Sequence, residues 1–185
     1  MTCVTQWKAG LAALPETVFF SRFPIDSRTV FHLSDLSFAF TNLKPVIPGH
    51  VLVAPRRIVA RLTDLTDDET KDLFLCVKTV GEAIGKAHPH ADSLTITVQD
   101  GSAAGQTVSH LHVHIMPRWP TDRFNLARVG NDAVYQEVDR AEKELSHEYV
   151  KSDESSAIKP RLPESMISEG QELRVVMERI ISKAI

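Results

Sequence analysis

Three histidines alternate with three apolar residues in the run His110-Leu111-His112-Val113-His114-Ile115, and no other feature of this 185-residue chain restricts its fold so tightly. In an extended strand, side chains at i, i+2 and i+4 share one face. The spacing therefore predicts a strand from His110 to Pro117 with His110, His112 and His114 on one side. Leu111, Val113 and Ile115 fall on the other side and need a core to cover them.

The surrounding sequence supplies that core. Thr29 to Leu33 and Ser37 to Thr41 are short runs rich in β-branched and aromatic residues, with Ser34-Asp35 as a turn between them. His50 to Pro55 reads as a buried strand entered through Pro48-Gly49. Thr66-Asp67-Asp68-Glu69 is a capping box, and three acids suit the positive end of a helix. Leu73, Val77, Val80 and Ile84 give that helix one apolar face, and Pro89 ends it. Ser93 to Gln99 alternates like a half-buried strand. Residues 1–17 carry no clear pattern, and the β signal begins at Val18. The order of elements fits an α+β fold better than a doubly wound sheet.

Hydrophobic residues make up 43% and charged residues 24%, enough for one domain with a real core. A net charge of -3 argues against nucleic-acid or membrane binding through bulk charge. No apolar run approaches the ~18 residues that span a bilayer. Residues 1–10 lack the pattern of a secretory signal. Cys3 and Cys76 do not form a CxxC pair and read as reduced thiols of a cytoplasmic or nuclear protein.

Three chemistries compete for the histidines: satisfied core side chains, a zinc site, and acid–base or nucleophilic work. The loop before them bears on the choice. Gly101 and Gly105 bracket small residues, so backbone can approach a ligand closely and successive amides can form an anion-binding nest. Gln106, Thr107 and Ser109 add side-chain donors. A glycine loop delivered onto a histidine face suits phosphate, and imidazole is a competent nucleophile at phosphorus.

The run His110 to Met116 resembles the His-x-His-x-His signature of the histidine triad superfamily. Leu36 to Phe40, Asn42 to Val53 and Gln99 to Arg118 are similar to its fragile histidine triad branch of dinucleoside triphosphate hydrolases. The likeness covers residues 28–118, with an echo at Asn131 to Tyr135. It implies an antiparallel half-barrel sheet packed with a long helix, in a homodimer. It also implies that diadenosine triphosphate is cleaved to AMP and ADP through a nucleotidyl-histidine intermediate.

By the resemblance His112 is the nucleophile and His114 hydrogen-bonds a phosphate oxygen. His110 and His50 form the supporting network. Gln99 holds the bridging or leaving oxygen, and Gly105, Gln106, Thr107 and Val108 line the phosphates. Asn42 binds the ribose hydroxyls. The partner is a dinucleoside polyphosphate, with no metal or cofactor built in; magnesium can accompany the substrate. Other readings are a nucleoside phosphoramidate or adenylyl-sulfate hydrolase, a nucleotide-bound signalling protein, and a zinc module. The base pocket is placed near Ile25 and Phe38. Arg56-Arg57 could steer anions, and Arg118 organises the loop after the triad. Tyr135 matches a tyrosine of a mobile loop, where phosphorylation is one reading. The expected divisions are a domain over 18–120, a polar mobile segment with a short helix over 121–165, and a C-terminal helix over 166–185. Gly170 weakens that helix by about 1 kcal/mol.

Overall fold

The computed structural model describes residues 10–124, 133–148 and 159–183, with side chains only as far as 141 in the second stretch. The readings placed on Cys3, Asn131 and Asp132 lie outside it, as do residues 125–132 and 149–158 of the expected polar segment. Among the described residues, seven strands and three long helices follow one another: β1 Thr17–Phe20, β2 Phe23–Asp26, β3 Val30–Leu33, β4 Ser37–Thr41, β5 Val51–Pro55, α1 Asp67–Ala87, β6 Ser93–Val98, β7 Val113–Arg118, α2 Ala133–Glu148 and α3 Pro163–Lys183. Strands β3 to β7 form one antiparallel sheet in the order β3-β4-β5-β7-β6, while β1 and β2 make a separate hairpin.

Strand alternation sorts the sheet's side chains onto two buried faces. Ala39, Val51, Val53, Val113 and Ile115 join Phe31 and Leu111 in the main core, which α1 and α3 cover. Phe38, Phe40, Leu52 and Ala54 face the other way, toward the β1-β2 hairpin. Both faces of β5 are therefore covered, which explains its unbroken apolar sequence.

The stripe on α1 is buried as its spacing requires, with Leu73, Val80 and Ile84 inaccessible to solvent. Its capping box is formed: the Glu69 amide donates to Thr66 Oγ1, and the Thr66 amide donates to the Glu69 carboxylate. Arg57 adds a bidentate pair to Glu69 at 2.7 and 2.6 Å. Arg57 thus closes a helix cap and is not available to steer anions, while Arg56 donates to the Asp35 carbonyl. The Arg57 bonds, and then the Thr66 amide, hold the Glu69 carboxyl down at about 2. A folded-state pKa below the usual carboxylate value means stability that is present above pH about 4.5 and lost as pH falls toward about 2. We expect the Tm to drop across that window, and Glu69→Gln to flatten this part of the profile in melts at a series of acid pH values. An unchanged slope in Glu69→Gln would show that the cap carries none of it.

Helix α3 begins at Pro163 rather than at Met166 and belongs to the main core. Leu173, Met177, Ile180 and Ile181 pack there with the α1 stripe. Gly170 is required for that docking. A Cβ at this position would meet the Arg28 carbonyl oxygen at 2.9 Å and Thr29 Cα at 3.3 Å, so its propensity cost accompanies a close approach. Arg174 secures the same contact by donating to the carbonyls of Ser27 and Val30. Among the described residues no helix is long and apolar enough to cross a membrane.

Candidate active site

The histidine run is extended, but the regular strand starts only at Val113. His110 and His112 precede it, because the chain there turns through a His110 N–H to Val108 carbonyl bond and pairs once with the Val59 carbonyl through Leu111. The predicted partition of side chains nevertheless holds: Leu111, Val113 and Ile115 are in the main core, and the three imidazoles lie together off it. All three are buried.

Each ring is held in one tautomer by its neighbours. His112 Nδ1–H donates to the His110 carbonyl at 2.8 Å, which leaves the ring's lone pair on Nε2. His110 accepts from the Ser21 amide at Nδ1 and donates from Nε2 to the Pro55 carbonyl. Burial, as the leading cause, lowers the His110 pKa, and the ring stays neutral. Both of its nitrogens are occupied, so a metal held by all three histidines has no third donor. His50 accepts from the Val46 amide at Nδ1 and therefore presents Nε2–H to His114 Nδ1, at 2.9 Å. That bond puts the His114 proton on Nε2. Phe20 stacks on His110 and meets His112 edge-on, with centroids 5.2 and 5.1 Å apart, and so fixes both ring planes.

A cavity of about 380 Å³ opens in front of these rings. His50, His112 and His114 form part of its wall, with Asn42 and Lys44 beside them. Its apolar part includes Phe23, Ile25, Phe40 and Leu52. Ile25 is where the base pocket was expected, but Phe38 is not in the wall; it stacks on Phe40, which takes that place. Asn42 accepts the Lys44 amide, and its own amide nitrogen lies 3.2 and 3.3 Å from the His50 ring nitrogens.

The glycine loop departs from the expected nest. Ser102 to Ala104 form a 3-10 turn, and the amides of Ala104, Gly105 and Gln106 donate to carbonyls within it. The Gly101 amide donates to the Gln106 side chain, whose own amide donates to the Ala60 carbonyl. Those amides brace the loop itself. Of the four loop residues assigned to phosphate, Thr107 and Val108 reach the cavity wall, and Gly105 and Gln106 do not. Gln99 also lies outside the wall, with its amide donating to Asp139.

Several wall residues had no signal in the sequence. Val138 and Ala141 come from α2, and Met166 comes from α3. Arg161 donates twice to the Asn42 carbonyl and pairs with Glu169 at 2.7 Å, which buttresses the end of β4. Arg118 does organise the loop after the triad, binding Asp122, Thr95 and the Phe124 carbonyl. Tyr135 sits on α2 with an exposed ring, not in a loop.

Residues 24–121 match the family model of the HIT domain. A curated relative from Arabidopsis thaliana, a bifunctional bis(5'-adenosyl)-triphosphatase/adenylylsulfatase FHIT, is 49% identical over 126 residues, 68% of this chain and 67% of its own length. A bis(5'-nucleosyl)-tetraphosphatase (asymmetrical) of Schizosaccharomyces pombe is 46% identical over 153 residues, 83% of this chain and 80% of its own. The crystal structure of the Plasmodium falciparum diadenosine triphosphate hydrolase superposes with a TM-score of 0.67 at 25% identity, covering 90% of this chain and 87% of that one.

Proposed function

This chain belongs to the HIT domain family, and from that premise we propose that it hydrolyses diadenosine triphosphate and related dinucleoside polyphosphates, releasing AMP. The observation that carries the reading is the His112 tautomer, with Nδ1–H bonded to the His110 carbonyl and the ring in the cavity wall. The names of relatives at 49% and 46% identity supply the substrate class.

The Nε2 lone pair of His112 attacks the α-phosphorus, and the bond to the bridging oxygen breaks. The leaving nucleoside diphosphate is already a weak base, so it departs without a strong general acid. His114, protonated at Nε2 through the His50 relay, donates to a phosphate oxygen as charge builds. Water then cleaves the P–N bond and frees AMP and the imidazole. Asn42 binds the ribose, with Ile25 and Phe40 beneath the base, and Thr107 and Val108 follow the phosphates. A divalent cation such as magnesium would accompany the polyphosphate as its counter-ion.

A second reading has support from the Arabidopsis relative's double name: adenylyl sulfate is also a substrate. Turnover on diadenosine tri- and tetraphosphate, adenylyl sulfate and an adenosine phosphoramidate separates the possibilities. The expected result is AMP release from the triphosphate at the highest kcat/KM. Hydrolysis of the phosphoramidate alone would sink the reading.

Phe74 and Leu75 on α1 and Ile96 on the edge strand β6 are exposed. These exposed apolar side chains support a homodimer formed through α1 and β6. Sedimentation is expected to give twice the 20.6 kDa chain mass, and Leu75→Asp is expected to give the single chain. A monomeric wild type would refute the dimer. Cys76 is a free thiol, pushed up to about 12 by burial, which suits a reducing compartment, the cytoplasm or nucleus.

A further inference from the structure

The wall of the cavity is uneven in charge. Among the described residues it carries two cations, Arg22 and Lys44, and no carboxylate, although the whole chain has a net charge of -3. Such a wall favours an anion. The two cations differ in place. Lys44 is buried beside Asn42, to whose side chain its backbone amide donates. Arg22 is exposed and stands where the wall meets solvent. Pro24 and Leu43, the other exposed members of the wall, are uncharged.

Arg22 belongs to the turn between β1 and β2, and that turn is pinned to the histidines at two points. The Ser21 amide donates to His110 Nδ1 at 3.0 Å, and the Phe20 ring meets His112 edge-on at 5.1 Å. The guanidinium carbon of Arg22 lies 5.2 Å from the centroid of Phe23, which is itself in the wall, so cation–π attraction keeps the head group at the cavity. Arg57, Arg61, Arg118 and Arg161 are each paired with an acid. Arg22 forms no ion pair among the described residues, and its charge is left for a ligand.

In the reaction proposed above, the α-phosphorus sits at His112 Nε2. A cavity of about 380 Å³ is at the small end of ligand sites, which run from about 300 to 1,000 Å³. The far part of a dinucleoside polyphosphate therefore extends out through the mouth. We propose that Arg22 is a substrate-binding residue, whose guanidinium takes the phosphates beyond the α-position as they leave the cavity and so favours longer, more highly charged chains. Its planar fork can bond two phosphate oxygens at once. The proposal rests on the nucleotide reading above and deepens it.

The test is calorimetric titration of the full chain and Arg22→Gln with adenosine, AMP and the α,β-methylene analogue of ATP, without divalent cation. The methylene bridge replaces the oxygen that the reaction would release, so the analogue is not consumed. Glutamine keeps a planar polar head group and removes the charge from an exposed position. The ATP analogue is expected to bind Arg22→Gln about tenfold more weakly than wild type, with the difference shrinking as salt is raised. AMP should lose less, and adenosine should bind both proteins equally. Equal affinity of the two proteins for the ATP analogue overturns the proposal. So does an equal loss for adenosine, which would mean that the variant merely loosens the hairpin carrying Phe20 and Ile25. A difference that ignores salt overturns it too, because charge would not be its cause. If none of the three ligands binds either protein, the nucleotide reading itself fails and takes this proposal with it.

Discussion

His112→Asn is expected to lose at least about 10⁴-fold in kcat on diadenosine triphosphate while nucleotide affinity stays within about threefold. The loss is large because the variant removes the atom that forms the covalent bond. Affinity should survive because the asparagine amide can occupy the place of Nδ1 and donate to the His110 carbonyl, as the imidazole does at 2.8 Å. The neighbouring rings keep their own partners: His110 is held by Ser21 and Pro55, and His114 by His50. A rapid quench of the wild type should trap an acid-labile nucleotidyl protein, and the variant should trap none. Normal turnover in His112→Asn would end the histidine mechanism. Loss of binding together with turnover would make His112 a structural residue instead.

Local features were readable in the sequence because the residues that make them lie close along the chain. The capping box at Thr66 and Glu69 spans three positions, and both of its bonds are present. The alternation at 110–115 is likewise local, and it held although the regular strand begins only at Val113. The β signal that begins at Val18 falls in β1, but the β1-β2 turn and the second strand were not legible, for an equally local reason. The turn uses Ser21 at φ 55° in place of glycine or asparagine, and Pro24 inside β2 argues against a strand. Other parts of the site depend on long-range docking. Asp139 reaches Gln99 across 40 positions and Arg161 reaches Asn42 across 119, distances at which periodicity carries no information. The glycine loop shows a third kind of miss. Its composition suggested free amides, but whether an amide faces ligand or its own turn depends on φ and ψ at Gly101 and Gly105, which composition does not specify.

The sequence also suggested an independent unit ending near residue 120, and deletion of residues 163–185 is expected to contradict that outright. Four α3 side chains, Leu173, Met177, Ile180 and Ile181, are 9% exposed or less. At about 1.5–3 kcal/mol for each buried aliphatic side chain, they contribute roughly 6–12 kcal/mol, comparable to the whole stability of a domain, about 5–15 kcal/mol. Deletion would also expose what they cover: Phe31 and Ala39 on the sheet and part of the α1 stripe, all in the same cluster. The carbonyls of Ser27 and Val30 would lose the Arg174 guanidinium, and Arg161 would lose Glu169 while still bonded to Asn42. The truncated chain should therefore show no cooperative thermal transition and should bind a hydrophobic dye at room temperature. Met177→Ala offers a graded version, with an expected cost of about 2–5 kcal/mol in denaturant melts. A truncated chain that melts cooperatively within a few degrees of the full one would show that the sheet and α1 suffice. Helix α3 would then be the appendage that its distance from the histidine run suggests.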